Sequence, residues 1–167
     1  MSDLDLEGIA AGRRAWDEAP PGHLLGPGHH IGDLLDAPAW QLLEQTDSRL
    51  VVLATLPKRM QNYRGQLFGG FTGTYVDFIA LGCVRQRFTS AEKQLFGLTT
   101  LNMHIDYFAP VTGPRFRLEA EIVKERRRNF FLGIRFCSVD GDLQAVATVA
   151  LRRIEVAANP SAPAEDS

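Results

Sequence analysis

The residues best placed to do chemistry lie between Asn62 and Asp77, in the stretch NYRGQLFGGFTGTYVD. Gly69 and Gly70 stand where helical apolar spacing begins. The first N–H groups of a helix have no internal acceptor and sit at the positive end of its dipole. A pair of glycines there lets a carbonyl oxygen approach without meeting a Cβ, which is what a backbone oxyanion site requires. Eight residues further on, Asp77 lies between Val76 and Phe78. A carboxylate on an apolar helix face is costly to bury without a partner or a task. Asp77 therefore either turns to solvent or works as a base or nucleophile. The apolar flanks and the glycine start favour the second.

These residues need a helix to carry them and a sheet to bury it. From Gly69 to about Arg87, Phe71, Tyr75, Phe78, Ile79 and Gly82 recur at intervals of three and four, one apolar stripe of a helix. Interior glycines cost helix propensity, about 1 kcal/mol each, so Gly73 and Gly82 imply close backbone packing. Around the helix the period changes to two. Phe116, Leu118, Ala120 and Ile122 alternate with charged residues. Leu101, Met103, Ile105 and Tyr107 alternate with Thr100, Asn102, His104 and Asp106, which places Thr100 on the face opposite Met103. Phe130, Leu132, Ile134 and Phe136 share one face of a further strand, followed by a Val/Ala/Leu-rich run from Leu143 to Arg153. Asp140-Gly141 separates the last two as a hairpin signal, and Leu50–Leu56 forms another strand, closed by Pro57. The order predicts an α+β domain, one long helix wrapped by a five- or six-stranded antiparallel sheet, over residues 49–156. Residues 1–48 read as an irregular extension with short helices near Leu4–Trp16 and Pro38–Gln45. Residues 157–167 read as a disordered tail.

Composition narrows the function classes. The chain has 167 residues, 45% hydrophobic and 23% charged, with a net charge of −2. Without a basic excess, nucleic acid is not the expected partner. No apolar run approaches the roughly 20 residues of a membrane helix, so no membrane partner is expected, and the acidic start MSDLDLEG lacks the basic region of a secretory signal. Cys83 and Cys137 are too few for a disulfide scaffold, and a cytoplasmic location is expected. Walker loops, G-x-S-x-G elbows, C-x-x-C and H-E-x-x-H motifs are missing from the sequence. His23, His29 and His30 read as surface histidines of a Pro/Gly-rich loop, and no metal site is expected.

The same stretch resembles the active-site segment of hotdog-fold acyl-CoA thioesterases of the phenylacetate-pathway (PaaI-like) type. Their pattern is Asn, a short loop, Gly-x-x-His-Gly-Gly, then Asp on the central helix. Asn62, Gly65, Gly69, Gly70 and Asp77 fall at that spacing. Leu98–Pro110 and Val139–Arg152 resemble the family's next strand and last hairpin. The resemblance implies a hotdog fold over residues 49–156 and hydrolysis of an acyl-CoA thioester without a cofactor. It implies that the Gly69 N–H polarises the thioester carbonyl, with Gly70 beside it, that Asp77 is nucleophile or general base, that Asn62 positions the carbonyl and that Thr100 orients water.

One position departs from the pattern: the family's His is Phe68 here. A backbone oxyanion site does not need that imidazole. Phe68 instead gives an apolar wall beside the thioester, and it motivates the alternative of a hotdog protein that binds or senses acyl-CoA without cleaving it. A hotdog hydratase fits less well, since those enzymes pair an acid with a His and none lies near Asp77 in the motif. Eight helical residues span about 12 Å, too far for Asp77 and Gly69 of one chain to act on one carbon. A working site then needs Asp77 from one subunit and Gly69 from another, which matches the family's homodimers and dimers of dimers. Arg126, Arg127 and Arg128 stand at a hairpin where related proteins meet the nucleotide of CoA, and forked guanidinium donors suit phosphate. A solvated charged turn explains the same residues, so Arg127 and Arg128 are candidate substrate contacts.

Overall fold

The structure, a computed structural model, describes residues 6–155; the tail expected over 157–167 lies outside them. The elements run α1 (Leu6–Asp17), α2 (His30–Leu34), β1 (Gln41–Gln45), β2 (Arg49–Thr55), α3 (Gly69–Arg85), α4 (Ser90–Lys93), β3 (Phe96–Tyr107), β4 (Arg115–Arg126), β5 (Asn129–Cys137) and β6 (Leu143–Glu155). All six strands pair antiparallel in one sheet, ordered β1-β2-β4-β5-β6-β3. The sheet wraps α3, and this is the hotdog arrangement.

The core is where the two periodicities meet. Tyr75, Val76, Ile79 and Cys83 of α3 are fully buried, as are the inward residues Phe116, Leu118 and Ala120 of β4 and Phe136 of β5. Tyr75 meets the Phe116 ring edge-on at 5.4 Å, and Phe116 stacks on Phe136 at 5.7 Å. The Tyr75 hydroxyl is not stranded there: it donates to the Thr55 carbonyl at 3.1 Å. Burial of the Cys83 thiol pushes its pKa up to about 12, so it is a packing residue and not a reactive one. The tight approach implied by the helix glycines is present at Gly82, where an added Cβ would lie 3.0 Å from the Trp16 ring of α1.

Three features differ from the expectations above. The helix expected over Pro38–Gln45 is a single 3₁₀ turn, Ala37–Ala39, followed by β1. Leu, Glu and Gln favour helix only weakly, and pairing with Leu50–Leu53 of β2 gives this segment's backbone its partners. The sheet therefore begins at Gln41. Second, strict alternation fails in β3. The ladder to β6 shifts register between Thr100 and Asn102. One extra residue, Leu101, reverses the parity, as a β-bulge does, so Thr100 comes to the same side as Met103 and Tyr107. Third, the histidines are not simply surface residues. His23 bonds the Pro38 carbonyl at 2.9 Å, and half-buried His29 packs edge-on to Trp16 and Phe78. Its pKa is lowered, chiefly by burial.

β3 and β1 are the sheet edges. β3 runs twelve residues with one side unpaired, and His104, Leu101 and Tyr107 along it are exposed. No described helix is long and apolar enough to cross a membrane.

Candidate active site

The loop entering α3 is built by Asn62. Its side-chain oxygen accepts from the N–H groups of Arg64 (2.9 Å) and Gln66 (3.1 Å), and its amide donates to Gln66 Oε1 at 3.3 Å. Gly65 turns this loop at φ +75°, a conformation that favours glycine. The chain then returns along the structure: the Leu67 N–H donates to the Val111 carbonyl and the Phe68 N–H to the Met60 carbonyl. Phe68 is the N-cap of α3, and no side chain caps this terminus. The next backbone bond is from the Phe71 N–H to the Phe68 carbonyl at 2.9 Å. The amides of Gly69 and Gly70 open the helix at its positive end, and both residues are exposed.

β3 lies along α3 in the opposite direction, and three contacts mark its path. The Tyr107 hydroxyl donates to the Gly69 carbonyl at 3.0 Å. Met103 Sδ would lie 3.5 Å from a Cβ on Gly73. The Thr100 hydroxyl donates to Asp77 Oδ1. Gly69, Gly73 and Asp77 are spaced by four, so they form one stripe on the helix. The small residues admit the long Tyr and Met side chains, and the carboxylate meets the hydroxyl. Asp77 is only partly buried.

The structure thus brings together Asp77 and Thr100. Gly69 and Gly70 stand two helical turns away on the same helix, as the 12 Å spacing requires. Asn62 is held in the loop just before them. Phe68 is half exposed, meets Phe71 edge-on at 5.7 Å, and lays its ring over Gly70, where an added Cβ would come within 2.8 Å of Phe68 Cε1. Arg127 and Arg128 form the turn between β4 and β5, with Arg127 at φ +58°. Arg128 pairs with Glu155 at 2.6 Å, both side chains largely exposed. Strand pairing sets Arg126 opposite Asn129, Asn129 opposite Arg152 and Arg152 opposite Thr99. The turn therefore stands at the end of the sheet that carries Thr100, two to three strand spacings of about 4.8 Å away. Among the described residues, no group of three or more His, Cys, Asp or Glu side chains could hold a metal ion.

Three contributors carry no signal in the sequence pattern. Tyr107 alternates as an apolar strand residue, and its hydroxyl gives no periodic signal. His29 and Ile31 line the same pocket as Asp77 yet lie nearly fifty residues earlier, where only the Pro/Gly punctuation of the segment is legible.

Residues 64–145 match the family model described as the thioesterase superfamily. No curated protein sequence matches the chain. Among solved structures, a mutant thioesterase from Pseudomonas aeruginosa is similar at 17% identity and a TM-score of 0.64, over 75% of this chain and 86% of that one. A hypothetical thioesterase from Streptococcus pneumoniae, solved with coenzyme A, is similar at 19% identity and a TM-score of 0.60, over 70% and 89%. A Streptococcus mutans protein bound to acetyl-CoA is similar at 17% identity and a TM-score of 0.59, over 70% and 89%. The chain is a hotdog-fold protein whose residues 64–145, from just before the glycine pair into the last strand, match the thioesterase superfamily.

Proposed function

We propose that the protein hydrolyses acyl-CoA thioesters as a PaaI-like hotdog enzyme. The observation that carries this reading is the Thr100–Asp77 hydrogen bond on the stripe that begins at an uncapped glycine pair. The thioester carbonyl oxygen accepts from the Gly69 N–H, with Gly70 leaving room for it. Asp77 removes a proton from water as the water oxygen attacks the carbonyl carbon, or itself attacks to give an anhydride that water then opens. In either route the C–S bond breaks, and CoA leaves as a thiolate that takes up a proton. Thr100 donates to one carboxylate oxygen, which leaves the other for water. Asn62 spends its oxygen on the loop and has one amide N–H left to turn toward the substrate. The helix spacing calls for Asp77 from one subunit and Gly69 from its partner. The long unpaired edge of β3 supports a homodimer in which two sheets join, with a dimer of dimers as its extension. Arg127 and Arg128 are the proposed contacts for CoA phosphates, and the superfamily match together with the CoA-bound neighbours supports that substrate. A cytoplasmic site of action fits the two free, buried thiols.

The placement of Phe68 favours a second reading. Its ring over Gly70 narrows the approach to the glycine amides, which fits a protein that binds acyl-CoA without cleaving it. Thiol release across acetyl-, hexanoyl-, decanoyl- and phenylacetyl-CoA, with binding measured in parallel, separates the two. Turnover with any of them establishes hydrolysis. Binding without turnover replaces the first reading by the second.

A further inference from the structure

The sequence motif accounts for one side of the Asp77 site. The other side comes from the N-terminal segment. A pocket of about 330 Å³ opens beside Asp77, walled by Gly73, Thr74 and Leu81 of α3 and by His29 and Ile31. Gly73, Asp77 and Leu81 are successive members of the helix stripe, so the pocket follows α3 past the carboxylate. Beyond Asp77 it continues for one turn, about 6 Å, to Leu81. An acetyl group does not span that distance; a chain of several methylenes or a phenyl ring does. Asp77 is the one acidic side chain in this lining.

The segment that carries Ile31 is fixed. His29 Nδ1 accepts from the Gly32 N–H at 3.0 Å, the Gly28 N–H donates to the Asp33 carboxylate at 3.0 Å, and Arg59 donates to the carbonyls of Leu34 (2.7 Å) and Asp33 (2.9 Å). Gly32 allows α2 to lie directly on the core: a Cβ there would come within 2.9 Å of Leu25 Cδ1 and 3.3 Å of Phe78 Cζ. Phe78 is itself held by stacking on Trp16 at 5.2 Å and edge-on contact with Trp40 at 5.7 Å. On this rigid support Ile31 keeps 42% of its surface exposed. A locked helix turn that presents an isoleucine to solvent, on the wall of a pocket containing a carboxylate, has an acyl chain as its fitting occupant.

Resting on the thioesterase reading, we propose that Ile31 is a specificity-determining residue and that the preferred substrates are CoA thioesters of apolar acyl groups long enough to pass Asp77 and reach it. Each methylene buried against such a wall contributes roughly fourfold in affinity, so the three carbons lost in Ile31→Ala matter only to acyl groups that reach them.

The test is the acyl-chain profile of Ile31→Ala and Ile31→Trp, with thermal melts to verify folding. The expected result is that hexanoyl- or phenylacetyl-CoA exceeds acetyl-CoA in kcat/KM in the wild type. The ratio falls about tenfold in Ile31→Ala, and decanoyl-CoA is selectively rejected by Ile31→Trp, which fills the pocket. If the wild type turns over no thioester, the hydrolysis reading fails by itself and the pocket is read by titration. Hexanoyl-CoA then binds about tenfold tighter than CoA, and Ile31→Ala removes the difference. An unchanged acyl ranking in both variants, or hexanoyl-CoA and CoA binding equally to the wild type, overturns the proposal.

Discussion

Thr100→Val isolates one interaction at the candidate site. Valine keeps the β-branched shape and removes the hydroxyl that donates to Asp77 Oδ1. A hydrogen bond to a charged acceptor contributes about 1.5–3 kcal/mol. At about 1.4 kcal/mol per factor of ten in rate, the loss lies between about tenfold and a hundredfold. Thr100 is exposed and Asp77 only partly buried, so water can replace the lost donor, and the lower end applies. The expected effect is about tenfold on kcat with KM for the acyl-CoA little changed, since the hydroxyl orients the carboxylate and does not grip the nucleotide. Asp77→Asn removes the base or nucleophile itself and is expected to cost at least about a hundredfold. Because Thr100 acts through Asp77, the two losses do not multiply. Thr100→Val in the Asp77→Asn background should lower the residual rate by no more than about threefold. Steady-state thiol release on the four proteins decides it. A Thr100→Val enzyme within twofold of wild type refutes the pairing, and so do fully multiplicative losses, which would mean that Thr100 acts on substrate independently.

Phe68→His changes the acyl-chain ranking, with the best substrate's rate altered only modestly, if the wild type is an enzyme; hydrolysis arising from a near-zero background would mean that Phe68 silences a binding protein. The same substrate panel reads both outcomes. Subunit mixing tests the shared site: Asp77→Asn chains combined with chains blocked at Gly69 by a bulky side chain should regain activity, because one of the two sites in each mixed dimer has both groups. Demonstrated exchange without recovered activity refutes cross-subunit catalysis. Burial holds the His29 pKa below its ordinary 6.5, so the unfolded chain binds this proton first as the pH drops. The stabilisation from neutral His29 is complete above about pH 6.5 and is lost as the pH falls through its lowered value. Thermal melts of wild type and His29→Gln between about pH 7.5 and pH 5 should show the gap between them shrinking on acidification; a constant gap removes His29 as the cause.

The helix over Gly69–Arg85 and the strands from Leu50 onward were legible because burial on one face writes period 3.6 or period 2 directly into the residue types. The strand at Gln41–Gln45 was not. An edge strand buries little, and its burial pattern, with only Leu42 partly covered, leaves hydrophobic spacing nothing to report. Its helix-favouring Leu and Glu were overruled by backbone pairing with β2, an interaction that does not depend on side-chain type. The fixing of α2 was hidden for a related reason. His29 and Gly32 of the α2 segment and Trp16 of α1 converge on Phe78 of α3, so three separate parts of the chain meet, and no local period encodes such a meeting.

At the candidate site the distinction is finer, and it turns on one residue. Asp77, Gly69 and Gly70 could be picked out because each breaks a local rule: a carboxylate on an apolar face, glycines in a helix. Asn62 breaks none, since Asn is at home beside a turn, and only the resemblance of the segment to the PaaI-like motif singles it out. Thr100 breaks none. By strict alternation it belongs on the face away from Met103, and so away from the helix. Only the extra residue at Leu101 brings it round. A bulge is favoured where the sheet must re-aim a side chain without losing the rest of its register. Here the strand keeps Met103 opposite Gly73 and Tyr107 opposite Gly69, while Thr100 is turned onto the carboxylate. Deleting Leu101 tests this. Thr100 and Met103 would then stand two residues apart and face α3 together in a regular strand, in the register they already hold with Leu151 and Val149, so kcat should stay within about threefold of wild type. Substituting Leu101 by Ala keeps the bulge and should also leave kcat within about threefold. A deletion variant that folds but loses as much kcat as Thr100→Val would show that the bulge itself, and not only the register around it, serves the site.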